Sequence, residues 1–245
     1  MKSLYESLLD DFNDIEKSFN PFEEIEKFIK DNYSVSANIK ISKKPNKEGL
    51  YEVSCSGSVF LKKQTEVLTN DLFTWKKVKN DFFCDASNIE SLKGAPKEVG
   101  RIFNCNWCIY LTSLEGMPEK CKAISCSYCD GLTNLKGAPK EIDGGFACCG
   151  CGLTSLEGAP EKVGGIFDCS ANQELTSLKG APKEVGKGFK CSGCKKLISL
   201  DGMPEKILSG TFSATACGKE FTKIDVIKRL KSDSGLINMN LNLRY

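Results

Sequence analysis

Apolar and polar positions recur along this chain with a period near 21 residues. Prolines fall at Pro96, Pro118, Pro139, Pro160, Pro182 and Pro204, in steps of 21 or 22. The text around them repeats, as in Leu92-Lys-Gly-Ala-Pro96, Leu156-Glu-Gly-Ala-Pro160 and Leu178-Lys-Gly-Ala-Pro182. A short alternating piece follows each time: Phe103-Asn-Cys105, Ile124-Ser-Cys126, Phe146-Ala-Cys148, Phe167-Asp-Cys169 and Phe189-Lys-Cys191. A leucine then closes the unit, at Leu111, Leu132, Leu153, Leu175 and Leu197. Period-two alternation predicts a strand with two inward side chains. Gly and Pro exclude a helix from the return path, which is therefore extended or turn-like. So short a unit cannot bury its apolar side alone, but stacked units form continuous columns. The pattern predicts a β-rich solenoid of about six to seven turns around one parallel sheet.

The flanks read as caps over the open ends of this stack. Residues 1–56 form an N-terminal α-helical and β-hairpin cap. Leu4, Leu8, Phe12, Ile15 and Phe19 share one helical face. Asn20-Pro21 marks a restart, with Asn20 as N-cap and Glu23 and Glu24 in the first turn. Phe22, Ile25, Phe28 and Ile29 give the second helix its apolar face. Val35, Ala37, Ile39 and Ile41 alternate as one strand, paired across a Gly49 turn with Tyr51, Val53 and Cys55. The solenoid spans residues 57–221. Its first 21 residues, 57–77, are a degenerate repeat in which Leu68 and Trp75 stand at the offsets of the closing leucine and the proline. Residues 222–245 are a small C-terminal cap. Thr222-x-x-Asp225 opens a short helix through Leu230, and Ile237 to Tyr245 alternate as a last half-buried strand.

Composition narrows the chemistry. Lys+Arg 34 against Asp+Glu 32 leaves a net charge of +2, with no strong pull toward nucleic acid or anionic membrane. The first 32 residues are locally acidic, which suits either a solvated outer face or a docking arm. There are no histidines, which removes Ser-His-Asp and Cys-His machinery and every His-ligated metal site. No paired acids or nucleophile–base set stand out either, so no enzyme is expected. No transmembrane run is visible, and Met1–Glu6 turns acidic without a signal-peptide core. A reducing, cytoplasmic setting is the expectation.

The 14 cysteines pose the sharpest choice. Cys105-x-x-Cys108 and Cys126-x-x-Cys129 have the spacing of a four-cysteine zinc site. Yet the same pair becomes Cys169-x-x-Asn172, Cys84-x-x-Ser87 and Ala214-x-x-Cys217 in other units. A metal ligand does not tolerate Asn, Ser or Ala, whereas a repeating structural slot does. The expectation is therefore a structural cysteine ladder without cofactor. The first Cys packs as a small hydrophobe, and the second hydrogen-bonds a turn backbone. Zinc on Cys105, Cys108, Cys126 and Cys129 is the alternative. Cys149 should point outward, either as an inert, partly covered thiol or, alternatively, as an exposed reactive one.

The outward positions of the sheet are mostly small and polar. Trp107 and Tyr128 differ: they occupy one offset in neighbouring turns and should stack side by side. With Asn104, Asn106, Ser127 and Phe83 they make the candidate binding face, to which Arg101 adds a polar contact. The same aromatic and amide arrangement also suits a carbohydrate.

The repeat resembles leucine-rich repeats. Phe146-x-Cys148-x-x-Cys151-x-Leu153 fits that family's spacing, and so does Phe82-x-Cys84-x-x-Ser87-x-Ile89 with Ser in the Asn/Cys slot. Four other units carry one extra residue before the leucine. The unit length is similar to short bacterial leucine-rich repeats and to repeat proteins of gut Bacteroidales-type bacteria and their phages. The resemblance covers about residues 78–222. It implies a non-catalytic binding module for a protein partner, with a phage or bacterial product acting on a host protein as one setting. A zinc-stabilised interaction module and a structural virion component are the rival readings.

Overall fold

A strand of two or three residues is stable only when neighbours extend it. The computed structural model, which describes residues 19–229 and 239–243, supplies those neighbours by stacking. The chain winds as a β-solenoid of about 7 turns with ~22 residues per turn. Its front sheet has 10 strands. Tyr33–Val35 and Val59–Leu61 begin it, Phe82–Phe83 through Gly210–Ser213 continue it, and Met239–Asn242 ends it. Only the first pair is antiparallel. From Val59 onward the strands run parallel and in register, so Phe82, Phe103, Ile124, Phe146, Phe167, Phe189 and Phe212 form one column. All of these side chains are buried, and successive rings stack at 5.4–5.9 Å, as for Phe167–Phe189 and Phe189–Phe212.

The return path adds two four-stranded sheets to the single one expected. One joins Ile39–Ile41, Tyr51–Cys55, Phe73–Val78 and Glu98–Val99. The other joins Glu141–Ile142, Lys162–Val163, Glu184–Val185 and Lys206–Ile207. Between them only a single bridge, Glu98 to Lys120, continues the pairing. There Cys121 takes the place that Val99, Ile142, Val163, Val185 and Ile207 hold in other turns. The turn before each proline is tight. Its closing amide bonds back three residues, as from Ala95 N to Leu92 O at 2.9 Å. Its glycine serves two needs at once. Gly137 has φ +96°, and a Cβ there would stand 2.2 Å from Glu115 N of the preceding turn.

Residues 21–32 form the expected helix, here α1 (Pro21–Asn32). The Asn20 side chain accepts from Phe22 N at 3.1 Å, and Pro21 opens the first turn. Ile25 and Ile29 are buried in the solenoid core, and the Phe28 ring meets Phe73 edge-on at 5.7 Å. This helix therefore covers the first turn. The helix expected from Leu4, Leu8, Phe12 and Ile15 lies outside the described residues.

The alternation from Val35 to Ile41 is not one strand. Tyr33–Val35 pairs with Val59–Leu61 in the front sheet, whereas Ile39–Ile41 pairs with Tyr51–Cys55 in the return sheet. The chain must serve an open edge on each side, and it turns the corner at Ser36, whose Oγ accepts from Ser58 N at 2.7 Å. Within residues 57–77, Val59–Leu61 pairs with Phe82–Phe83, and Leu68 and Trp75 are both buried. At the other end Thr222 and Asp225 close a reciprocal capping box on helix α2 (Lys223–Ile227). Met239–Asn242 then adds its strand in parallel to Gly210–Ser213. Ile237 and Tyr245 lie outside the described residues. Among the described residues no helix is long and apolar enough to cross a membrane.

Candidate binding site

The cysteine slots are built from the backbone outward. A parallel strand that ends after Phe-x-Cys leaves its last carbonyl without a strand partner. The second slot of the next turn supplies one. Cys108 Sγ donates to Cys84 O at 3.1 Å, Cys129 to Cys105 O at 3.2 Å and Cys151 to Cys126 O at 3.1 Å. Cys194 and Cys217 do the same to Cys169 and Cys191. Asn172 fills that slot with an amide that donates to two carbonyls, Cys148 O at 2.9 Å and Cys169 O at 2.8 Å. Ser87 reaches Cys84 O at 2.6 Å. The first-slot thiols point the other way along the stack, as Cys169 Sγ does to Lys190 O at 3.3 Å.

All 14 cysteines are free, and 12 of them are buried. Burial pushes the Cys84, Cys126, Cys148 and Cys169 thiols well above their ordinary value. Cys149 is half-buried, and burial together with the nearby Asp168 charge pushes it up to about 12. That is the opposite of an activated thiol. Of the four cysteines named for zinc, Cys108 and Cys129 spend their protons on carbonyls, and Cys126 reaches Ala147 O at 3.5 Å. Among the described residues no three Cys, Asp or Glu side chains converge where they could hold a metal ion.

Trp107 and Tyr128 stack with ring centroids 4.2 Å apart and planes 12° from parallel. They do not lie on the strands. Ile102–Asn104 and Ala123–Ser125 end before them, and both residues sit in the turn that follows, at φ 60°. That slot is left-handed in the seven turns from Ala86 to Ala216: Ala86, Ala171 and Ala216 occupy it in three other turns, and Gly150 and Gly193 in two more. The Tyr128 ring lies over Gly150, where a Cβ would come within 2.7 Å of the ring. Trp107 is 56% exposed and Tyr128 42%. Ile109 and Tyr110, exposed in the same turn as Trp107, extend the apolar corner. Sequence reasoning missed these two, because a loop between strands offers no periodicity. The glycines at Gly150 and Gly193 were the available sign that the slot is left-handed.

The predicted polar contacts mostly serve the fold. Asn104 Oδ1 accepts from Asn106 N at 2.9 Å. Asn106 Oδ1 accepts from Ser125 Oγ at 2.8 Å and Ser127 N at 2.7 Å. Ser127 is buried, and its Oγ accepts from Cys149 N at 3.1 Å. These three hold the corner on which the rings stand. Phe83 is half-buried and stacks on Phe60 at 5.0 Å, a second aromatic pair on the strands themselves. Arg101 is exposed and ion-paired with Asp81 at 3.7 Å.

Compared with known proteins, the chain matches no family model, no curated protein and no solved structure.

Proposed function

We propose that this chain is a non-catalytic protein-binding module whose contact point is the aromatic corner of Trp107, Tyr128, Ile109 and Tyr110. One observation carries the reading. Two large aromatic residues occupy left-handed backbone positions, each at a cost of about 1–2 kcal/mol for a residue with a Cβ. Two other turns fill the same slot with glycine, which avoids that cost. The strained positions also leave the rings in solvent, while the Phe rings of the column are buried. Rigid exposed aromatics of this kind anchor protein interfaces at low entropic cost. The leucine-rich-repeat resemblance of the units supports the same role. On that resemblance alone we place the chain in a bacterial or phage-infected cell, acting on a host protein.

The test uses the two tryptophans. Trp75 is fully buried, so Trp107 is the solvent-facing emitter. A partner captured on the immobilised chain, then purified, should shift Trp107 emission on rebinding. It should lose about tenfold or more in affinity toward a Trp107→Ala/Tyr128→Ala variant that melts normally. Equal affinity for the double variant would overturn the assignment.

A further inference from the structure

The corner has a charged neighbour. Tyr110 and Val67, both more than half exposed, line an open concavity of about 670 Å³ together with Glu66, Asp71, Glu90 and Lys93. A second concavity of about 260 Å³ shares Thr69, Asp71 and Lys93 with it and adds Glu48 and Leu50. The two adjoin at these shared residues, and together they are called the trough. Tyr110 stands three residues from Trp107, a span of at most about 11 Å, so the trough opens beside the aromatic pair.

Four carboxylates, Glu48, Glu66, Asp71 and Glu90, face one ammonium, Lys93, in a chain whose overall charge is +2. Among the described residues none of the five has an ion pair. The return face behaves differently. There lysine and glutamate of adjacent turns neutralise each other, as in Lys162–Glu184 and Lys183–Glu161, both at 2.9 Å. The trough thus combines apolar anchors with uncompensated negative charge.

Resting on the aromatic-corner reading above, we infer that the partner presents an extended cationic segment to this trough. Its apolar side chain packs on Tyr110 and Val67, and its Lys or Arg side chains face Glu66, Asp71 and Glu90. Neighbouring strands are about 4.8 Å apart, so the trough suits three to four extended residues rather than a folded domain. The carboxylates set selectivity and the rate of encounter, while the rings hold the complex.

A display library of random peptides, roughly twelve residues long, panned on the folded full chain, tests this. Enriched peptides should place Lys or Arg next to Leu or an aromatic residue. Their affinity, read by the fluorescence anisotropy of a labelled peptide, should fall about tenfold in a Glu66→Gln/Asp71→Asn/Glu90→Gln variant, and fall likewise between about 0.05 and 0.5 M salt. All three carboxylates are exposed, so the amides leave the core untouched. Neutral or acidic peptides that ignore the amide variant but are lost with Trp107→Gly/Tyr128→Gly would overturn the charge inference and keep the aromatic site. Peptides that bind the glycine and the amide variants equally well, or no enrichment above the glycine variant, would overturn both.

Discussion

At the scale of single residues, the second cysteine slot shows how one hydrogen bond sets a sequence pattern. The slot must donate to a buried carbonyl, and Cys, Asn and Ser all can. That tolerance explains why the metal-like spacing breaks in some turns. It also ranks substitutions. Cys151→Val keeps the volume but leaves Cys126 O without its donor, and should cost about 1–3 kcal/mol in urea denaturation. Cys151→Asn places an amide where Asn172 satisfies two carbonyls at once, and should cost clearly less. Equal losses for Val and Asn would show that packing, not donation, fixes the slot.

At the scale of elements, most of the architecture was legible because two short motifs repeat with strict spacing. Phe-x-Cys set the front strands, and Leu-x-Gly-Ala-Pro set the turns. The Glu-Val pieces after the prolines give no strand signal in the sequence, since two residues carry no periodicity of their own. Only stacking turns them into a sheet. Val35–Ile41 misled for the converse reason: its alternation is real, but its halves answer to different sheets. Trp107 and Tyr128 were legible as a pair from their offset, whereas only the glycines at Gly150 and Gly193 in the same slot hinted at their left-handed backbone.

The same short return strands carry rows of charge. Lys77, Lys183 and Lys162 hold the Glu98, Glu161 and Glu184 carboxyls below the ordinary value of 4.5. A lowered folded-state value means stability present above the unfolded value and lost as pH falls through the folded one. The urea midpoint should therefore hold from neutrality to about pH 5 and decline below it, by less at high salt. A midpoint unchanged down to about pH 3 would show that these exposed pairs contribute nothing.

At the scale of the whole molecule, the column and the thiol ladder make a stack that needs no ring in solvent. The central claim is that Trp107 and Tyr128 serve contact and not folding. Replacing both by glycine relieves about 1–2 kcal/mol of left-handed backbone at each site. It costs about 0.5–1 kcal/mol of chain entropy at each and about 0.5–1.5 kcal/mol for the lost stack. These terms nearly cancel, whereas Phe167→Ala in the column should cost about 3–5 kcal/mol. The most direct measurement is the unfolding free energy of Trp107→Gly/Tyr128→Gly against the unaltered chain, with Phe167→Ala alongside. The prediction is a change within about 1 kcal/mol for the glycine pair; a loss approaching that of Phe167→Ala would make the rings part of the fold and contradict the account.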